Sequence, residues 1–283
     1  MLQSYETLRQ ENIETLRAQI RSGSYRSHTA GLGKNLLQAN LAIIPEAFAL
    51  DFMRFCQRNP KPCPLIGASD TGNPLLFTLG HCLDIRTDVP AYNIYRDGRL
   101  EGSVTDISAL WSDDLVAFAL GCSFTFEHAL IEAGIDLWHI SNNVTVPMYR
   151  SNLETTPAGP FRGAMVVSMR MIPDERVRDA VAISARFPLA HGSPVHIGDP
   201  AAIGISDLGN PDWGDAVPVE AGYTPVFWAC GVTPQAIIQN AALPLLITHK
   251  PGHMLITDIP DDAEIPIITK KDAVSSNLHG VDT

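Results

Sequence analysis

The chain has 283 residues, of which 45% are hydrophobic and 18% are charged, a balance typical of globular proteins and unlike that of disordered ones. The formal net charge is -11 and the 20 basic residues form no run, so neither nucleic acid nor an anionic membrane is expected as a partner. No stretch approaches 18 consecutive apolar residues, which argues against a membrane-spanning helix. The length allows one large domain or two of ordinary size, with a substantial core.

The first 21 residues are predicted to form an amphipathic helix, since Leu8, Ile13, Leu16 and Ile20 fall near helical spacing among charges. This pattern differs from that of a secretory signal peptide, so a cytoplasmic protein is expected. An odd number of scattered cysteines favours reduced thiols. No CxxC or HExxH pattern occurs, so a standard zinc site is not expected. The cysteines are Cys56, Cys63, Cys82, Cys122 and Cys230.

Short apolar runs alternate with helical patterns along the first half of the chain, which predicts a sheet covered by helices. A polar loop at 31–40 is expected to precede a short strand at Leu41–Ile44 that ends at Pro45, and Glu46–Arg58 is expected to be a helix. Asp97-Gly98 lies between two short apolar runs, Tyr92–Tyr95 and Leu100–Val104, and is a strong hairpin signal.

The second half continues the alternation of buried strands and helices. Its last three elements have the form of a βαβ crossover. The tail after Lys270 is polar and is expected to fray. The predicted elements are a strand at Leu115–Leu120, a helix at Phe124–Ala133, a strand at Met165–Met169, a helix at Pro173–Arg186, a strand at Pro225–Ala229, a helix at Pro234–Ala242 and a strand at Leu245–Thr248.

Two segments share a pattern in which a buried strand ends at a cysteine and a helix follows. Cys122 is followed by Ser123, and Cys230 by a glycine and then by Thr233, a natural N-cap with Pro234 at the first helical position. Such a turn presents free amides to a carboxylate ligand and would lower the pKa of its cysteine. The alternative is that both cysteines are small hydrophobes that fill strand ends.

A polar loop rich in Gly and Pro carries His191, His196 and Asp199 within nine positions. Imidazole beside carboxylate is a common arrangement for a base that works near neutral pH, and His196, with Asp199 three residues further on to orient it, is the best-placed candidate. The same three side chains could bind a divalent metal. The alternative is turn chemistry, in which Asp199 caps a short helix and the histidines are exposed.

Arginine can bind a substrate carboxylate through two parallel hydrogen bonds, and two arginines lie on rigid segments near proline or aspartate. Arg86 has Asp84 and Asp88 nearby, which equally suits an ordinary ion pair, whereas Arg150 has no acidic residue closer than Glu154. Glu127 falls in the first turn of the helix after Cys122, where a carboxylate stabilises the helix dipole.

Several unusual strings, in order from about residue 30 to residue 260, resemble the D-glutamate cyclase family, whose bacterial members are labelled hydro-lyases. Residues 140–146 depart from the family pattern, which has Gly and Arg there. The matching strings are Gln38-Ala-Asn-Leu, Asn59-Pro-Lys-Pro-Cys-Pro64, Asp84-Ile-Arg-Thr-Asp88, Gly121-Cys-Ser-Phe-Thr-Phe-Glu127, Val146-Pro-Met-Tyr-Arg150, His191-Gly-Ser-Pro-Val-His-Ile-Gly-Asp-Pro200 and Trp228-Ala-Cys-Gly-Val-Thr-Pro-Gln235.

The resemblance implies an α/β fold with a three-layer αβα domain, residues 1–122 and 211–283, interrupted by a smaller two-layer α+β domain at 123–210. The two cysteine turns would then lie side by side in the first domain. The implied reaction is closure of D-glutamate, or of a related small amino or hydroxy acid, to 5-oxo-D-proline with loss of water and without a cofactor.

The expected site has two groups of residues. The substrate-binding residues are Arg86, Arg150, Thr233 and Gln235. The catalytic residues are Cys122, Ser123, Glu127, His191, His196, Asp199 and Cys230. Two other interpretations stay open: a cofactor-independent racemase or epimerase with Cys122 and Cys230 as opposed thiols, and a non-catalytic protein that binds small acids. Homo-oligomerisation also stays open.

Overall fold

The structure, a computed structural model, describes residues 5–142 and 144–263. It is a mixed α/β protein with two β-sheets. The helices are α1 (Tyr5–Leu8), α2 (Ile13–Arg21), α3 (Glu46–Arg58), α4 (Phe124–Glu132), α5 (Trp138–Ser141), α6 (Val177–Ala185) and α7 (Val232–Asn240). The strands are β1 (Leu36–Pro45), β2 (Leu65–Ala68), β3 (Tyr92–Arg96), β4 (Arg99–Val104), β5 (Leu115–Gly121), β6 (Met148–Glu154), β7 (Ala164–Pro173), β8 (His196–Ile197), β9 (Tyr223–Ala229), β10 (Leu246–His249) and β11 (Leu255–Pro260).

The chain divides into two compact units. The second unit comprises Asp51–Pro64 and Gly121–Ala241. The sequence prediction places 211–241 in the main domain, whereas these residues belong to the second unit, because β9 pairs along its whole length with β7. Both cysteine turns therefore lie in the second unit. The first unit comprises Met1–Leu50, Leu65–Leu120 and Ala242–Thr283.

The first unit contains a seven-stranded sheet in the order β2-β5-β1-β10-β3-β4, with β11 also paired to β1. The predicted hairpin is present as β3 and β4, which pair antiparallel. Asp97 and Gly98 connect them with φ of 48° and 76°. Two successive positive φ angles are what a two-residue type I′ turn needs, and this is why the Asp-Gly pair predicts the hairpin.

Strand β1 starts five residues before the predicted strand, within the segment expected to be a polar loop. It runs through Gln38 and Asn40, which are both buried. The Gln38 side-chain nitrogen donates to the carbonyl oxygens of Thr29 and Leu32 at 3.1 and 3.0 Å, so both of its hydrogens are satisfied inside the fold. The polarity of residues 36–40 alone does not predict that they form a buried strand, because the groups that accept hydrogen bonds from Gln38 lie in a preceding loop.

The predicted N-terminal helix is divided in two. Residues 5–8 form α1, and α2 starts afresh after Asn12, whose side-chain oxygen accepts from the Thr15 amide at 2.9 Å. A capped N-terminus of this kind begins a new helix, which explains the break. Met1 to Ser4 and the tail after Lys270 lie outside the described residues.

The second unit contains a four-stranded antiparallel sheet in the order β6-β7-β9-β8. Side chains alternate along β9, as in any strand: Trp228 joins a core formed with α4 and α6, and Phe227 joins a second core with Tyr149 and Met169. The sheet is therefore packed on both faces, and β7 and β9 are buried at its centre.

The predicted βαβ crossover is wrong, because β9 joins the four-stranded sheet and β10 the seven-stranded one. The helix at Glu46–Arg58 is confirmed at both ends. The mixed α/β class is likewise present, while the three-layer arrangement stays a prediction. None of the helices within residues 5–142 and 144–263 has the length and apolar character needed to cross a membrane.

Candidate functional site

Two strand-to-helix turns in the second unit each carry a buried cysteine. Cys122 follows β5 and precedes α4, and Cys230 follows β9 and precedes α7. The predicted capping role of Thr233 is wrong, since α7 begins at Val232 with Gly231 as its N-cap. The Thr233 hydroxyl instead accepts from the Val166 amide at 3.0 Å and donates to the Val166 carbonyl at 3.1 Å, which ties α7 to β7.

Both thiols are neutral at pH 7, contrary to the lowered pKa expected for such turns. Burial raises the pKa of Cys122 to about 12, although the Phe124 amide and the charge of Arg170 work in the opposite direction. Burial also raises the pKa of Cys230. Desolvation therefore outweighs the amides of the turn. The two cysteines are close enough to interact, since the charge of Cys230 is one of the causes that raise the pKa of Cys122.

A buried charge network centred on Arg170 lies beside these turns. The Arg170 guanidinium donates twice to Glu127 Oε1, through Nε at 3.2 Å and through Nη2. Nη1 donates to Ser168 Oγ at 2.8 Å, and Nη2 also donates to Ser123 Oγ at 3.2 Å. The guanidinium carbon lies 5.2 Å from the ring centroids of both Phe126 and Trp228, within the range of cation–π attraction.

Glu127 is shared between this arginine and a histidine. His139 Nε2 lies 3.2 Å from the same carboxylate oxygen, Oε1. Burial works to raise the pKa of Glu127, but the charges of Arg170 and His139, together with their hydrogen bonds, outweigh burial and lower the pKa to about 2. The Glu127 carboxylate is therefore ionised at neutral pH, so it is a charge partner and not a proton donor.

Arg170 and His139 are absent from the sequence prediction, which ends the strand at Met169. Ser168 and Arg170 alternate with Met169 and Met171 on β7, and all four are buried. The sequence does contain a signal for Arg170: it is a charged residue inside an apolar run, and a buried charge requires a partner.

His191 has the geometry of a neutral base. It is 1% exposed, and its Nδ1 lies 2.7 Å from the Lys61 carbonyl oxygen, so Nδ1 carries the proton. No described residue hydrogen-bonds Nε2, which therefore presents a free lone pair inside the protein. Burial lowers the pKa of His191 to about 4, and the charges of Arg170 and Lys61 lower it too. The charge of Arg170 thus acts on His191 as well as on both cysteines.

The loop that carries His191 packs directly against the Cys122 turn. A Cβ atom on Gly121 would lie 1.6 Å from the Leu189 carbonyl oxygen, so only glycine permits this approach. His191 itself has φ of 76°, in the left-handed region. A non-glycine residue at such a φ is uncommon, and a surrounding structure that fixes it is usually required.

His196 and Asp199, the predicted base and its partner, lie in a more exposed part of the same loop. His196 Nε2 lies 2.7 Å from the Asp199 backbone carbonyl oxygen. The Asp199 carboxylate accepts from the Ala201 amide at 2.9 Å and caps a short 3-10 helix, Pro200–Ile203. Asp199 therefore orients the imidazole through its backbone, while its side chain has the alternative, turn-forming role.

The predicted carboxylate-binding arginines each hold an ion pair. In the first unit Arg86 Nη2 lies 2.7 Å from Asp84 Oδ2. In the second unit Arg150 is exposed, lies 3.2 Å from Asp212 Oδ1, and covers the Trp213 ring at 4.8 Å. Gln235 lies partly buried in α7. Across residues 5–142 and 144–263, no group of three or more His, Cys, Asp or Glu side chains is arranged to hold a metal ion.

Comparison with known proteins places this chain in a defined family. Residues 116–258 match the model of the family described as D-glutamate cyclase. A protein of Dinoroseobacter shibae named "Putative hydro-lyase" is 69% identical over 99% of this chain and 93% of its own length. Proteins of the same printed type from Ruegeria pomeroyi and Jannaschia sp. are 66% and 63% identical, over 93% and 89% of this chain and 96% and 95% of their own lengths.

Proposed function

This chain belongs to the D-glutamate cyclase family, and we propose that it is a hydro-lyase that closes D-glutamate, or a related small amino or hydroxy acid, with loss of water. The observation that carries the proposal is the unpartnered Nε2 of the buried His191 beside the Arg170 network and the two cysteine turns. Such a nitrogen can accept a hydrogen bond from a substrate ammonium or hydroxyl group.

The remaining groups of the site suit the substrate's acidic end. The amides of Phe124 and Val232 hydrogen-bond the thiols of Cys122 and Cys230 at the starts of α4 and α7, where the helix dipole favours a carboxylate. Arg170 adds a fixed positive charge, and Glu127 holds that arginine in place. We assign the base to His191 instead of His196, because His191 is buried and has a free ring nitrogen.

The proposed reaction balances without an external acid or base. The amino nitrogen attacks the side-chain carboxyl carbon, one C–N bond forms and one C–O bond breaks. The two protons that the ammonium loses leave with the departing oxygen as water. A single group that carries protons from the nitrogen to that oxygen is therefore sufficient. His191 takes the first proton at Nε2 and returns it to the departing oxygen. The neutral thiols of Cys122 and Cys230 can donate hydrogen bonds to the oxyanion that forms in between.

The test is a ¹H NMR assay of the purified protein with D-glutamate, with L-glutamate and small 2-hydroxy acids in parallel. We expect 5-oxo-D-proline to accumulate, and His191→Asn to lower turnover about 10²–10⁴-fold, the usual contribution of a general base. His196→Asn is the matched control and should retain most of the activity. Normal turnover in His191→Asn together with a large loss in His196→Asn would return the base to His196.

The proximity of Cys122 and Cys230 favours a second candidate, a two-thiol racemase or epimerase. Such an enzyme needs one thiol as a thiolate, and burial, which raises both pKa values, opposes this. The same NMR assay in ²H₂O separates the candidates. Exchange of the Cα hydrogen without ring closure would support racemisation, and a bound but unchanged amino acid would support a non-catalytic binding protein.

A further inference from the structure

Lys61 and the His191 loop are joined by three hydrogen bonds within the second unit. The Lys61 carbonyl accepts from His191 Nδ1 at 2.7 Å. The Lys61 ammonium donates to the Ser193 carbonyl oxygen at 2.5 Å and to Ser193 Oγ at 3.0 Å. Lys61 therefore holds the loop at two positions, one through its backbone and one through its side chain.

The backbone contact decides which nitrogen of His191 can act. With its proton on Nδ1, the neutral ring has its lone pair on Nε2; the other tautomer would put a proton on Nε2 and remove the acceptor. The side-chain contact holds the same loop at a second position, Ser193. Ser193 lies two residues after His191, and the Gly192 amide between them donates to the Phe187 carbonyl at 3.0 Å; the ammonium bonds add to this backbone bond and fix Ser193 against Lys61.

We propose that Lys61 is a positioning residue for His191: its ammonium clamps Ser193, and this clamp keeps the Lys61 carbonyl on Nδ1 and the lone pair of Nε2 free. The use of that lone pair in catalysis rests on the proposed function, whereas the clamp itself does not. Lys61 has a second effect, because its charge, like that of Arg170, opposes protonation of the ring. Within residues 5–142 and 144–263, Arg170 and Lys61 are the two charged groups that act on His191.

The experiment observes the ring directly by long-range ¹H–¹⁵N NMR of protein labelled with ¹⁵N-histidine, with His191→Asn used to assign the signal. In the native chain we expect a single Nδ1-protonated tautomer. In Lys61→Met, which keeps the aliphatic stem and removes the charge, we expect mixed tautomers and a higher pKa of His191. Turnover should fall about 10- to 100-fold, as for a catalytic group misplaced by about 1 Å, and the acid limb of the pH–rate profile should move to higher pH.

Two further variants make the result specific. Lys61→Arg keeps the charge and the donors, and should restore most of the native NMR signal. Lys34→Met removes an exposed lysine of the first unit and should leave His191 unchanged. If Lys61→Met does not fold, Ser193→Ala removes one of the two bonds to the ammonium and should produce a smaller change in the same direction.

The outcomes separate the clamp from the reaction. An unchanged His191 signal in both Lys61→Met and Ser193→Ala overturns the clamp, whatever happens to turnover. An altered signal in a protein that converts no substrate supports the clamp and refutes the proposed function. An altered signal with the expected loss of turnover supports both.

Discussion

Substitution of Gly121 by alanine tests how closely the Cys122 turn and the His191 loop are packed. The added Cβ would lie 1.6 Å from the Leu189 carbonyl oxygen, and ordinary contact begins at 3.4 Å, so the two must separate by about 1.8 Å. The obstacle is backbone and cannot rotate away. The loop that carries His191, two residues after Leu189, must therefore move relative to Cys122.

The expected losses follow from that displacement. Overpacking of a buried site costs about 1–3 kcal/mol, which in a chain of this size lowers Tm by about 2–10 °C. A catalytic group displaced by more than 1 Å should lower turnover by about 10²-fold or more. Thermal unfolding and the NMR turnover assay measure the two effects separately.

Gly102 provides the matched control, because a Cβ there would meet nothing within 4 Å. Gly102→Ala should leave both Tm and turnover near the native values. If Gly121→Ala behaves like Gly102→Ala in both measurements, the Leu189 carbonyl does not approach Gly121 as described, and the turn and the loop are not fixed together.

Two further predictions concern buried charge and pH. Glu127→Ala should lower the free energy of unfolding in urea by about 3–5 kcal/mol, since it leaves Arg170 buried without its partner; a change below about 0.5 kcal/mol would show that water or another group compensates. Burial lowers the pKa of both His191 and His249 from 6.5 to about 4. The unfolded chain therefore binds these protons more tightly, so stability is fully present above pH 6.5 and falls as the pH drops from 6.5 towards 4. Measurements of Tm against pH should show this loss of stability. The fall in Tm between pH 6.5 and pH 4 should be smaller in His249→Gln than in the control His81→Gln, which replaces an exposed histidine.

Local chemistry explains which parts of the fold the sequence predicts well. The bounds of α3 follow from apolar spacing between prolines, and the β3–β4 hairpin follows from Asp97-Gly98, since these signals need no distant partner. The assignment of β9 and β10 to different sheets cannot be read in this way. A strand–helix–strand pattern is the same whether its strands pair with each other or with strands far away in the chain.

The site shows the same division. The Cys122 and Cys230 turns are visible as strings, and His191 is visible as part of a polar loop. Their protonation states are not, because these depend on burial by residues distant in sequence. The role of Arg170 can be recognised only from the structure, in which β7 places it against Glu127 of α4. The choice of His191 over His196 as the base depends on the Lys61 carbonyl, 130 residues before His191.

The position of Arg170 over Trp228 gives the protein an intrinsic optical reporter. Trp228 is fully buried, no described residue hydrogen-bonds its Nε1, and the guanidinium lies 5.2 Å from the ring. The energy of an indole excited state responds to a nearby charge, so its emission depends on where that guanidinium lies. A ligand that draws Arg170 away from Glu127 should shift the fluorescence of Trp228 without any added label, and binding could be followed in real time even when no chemistry takes place.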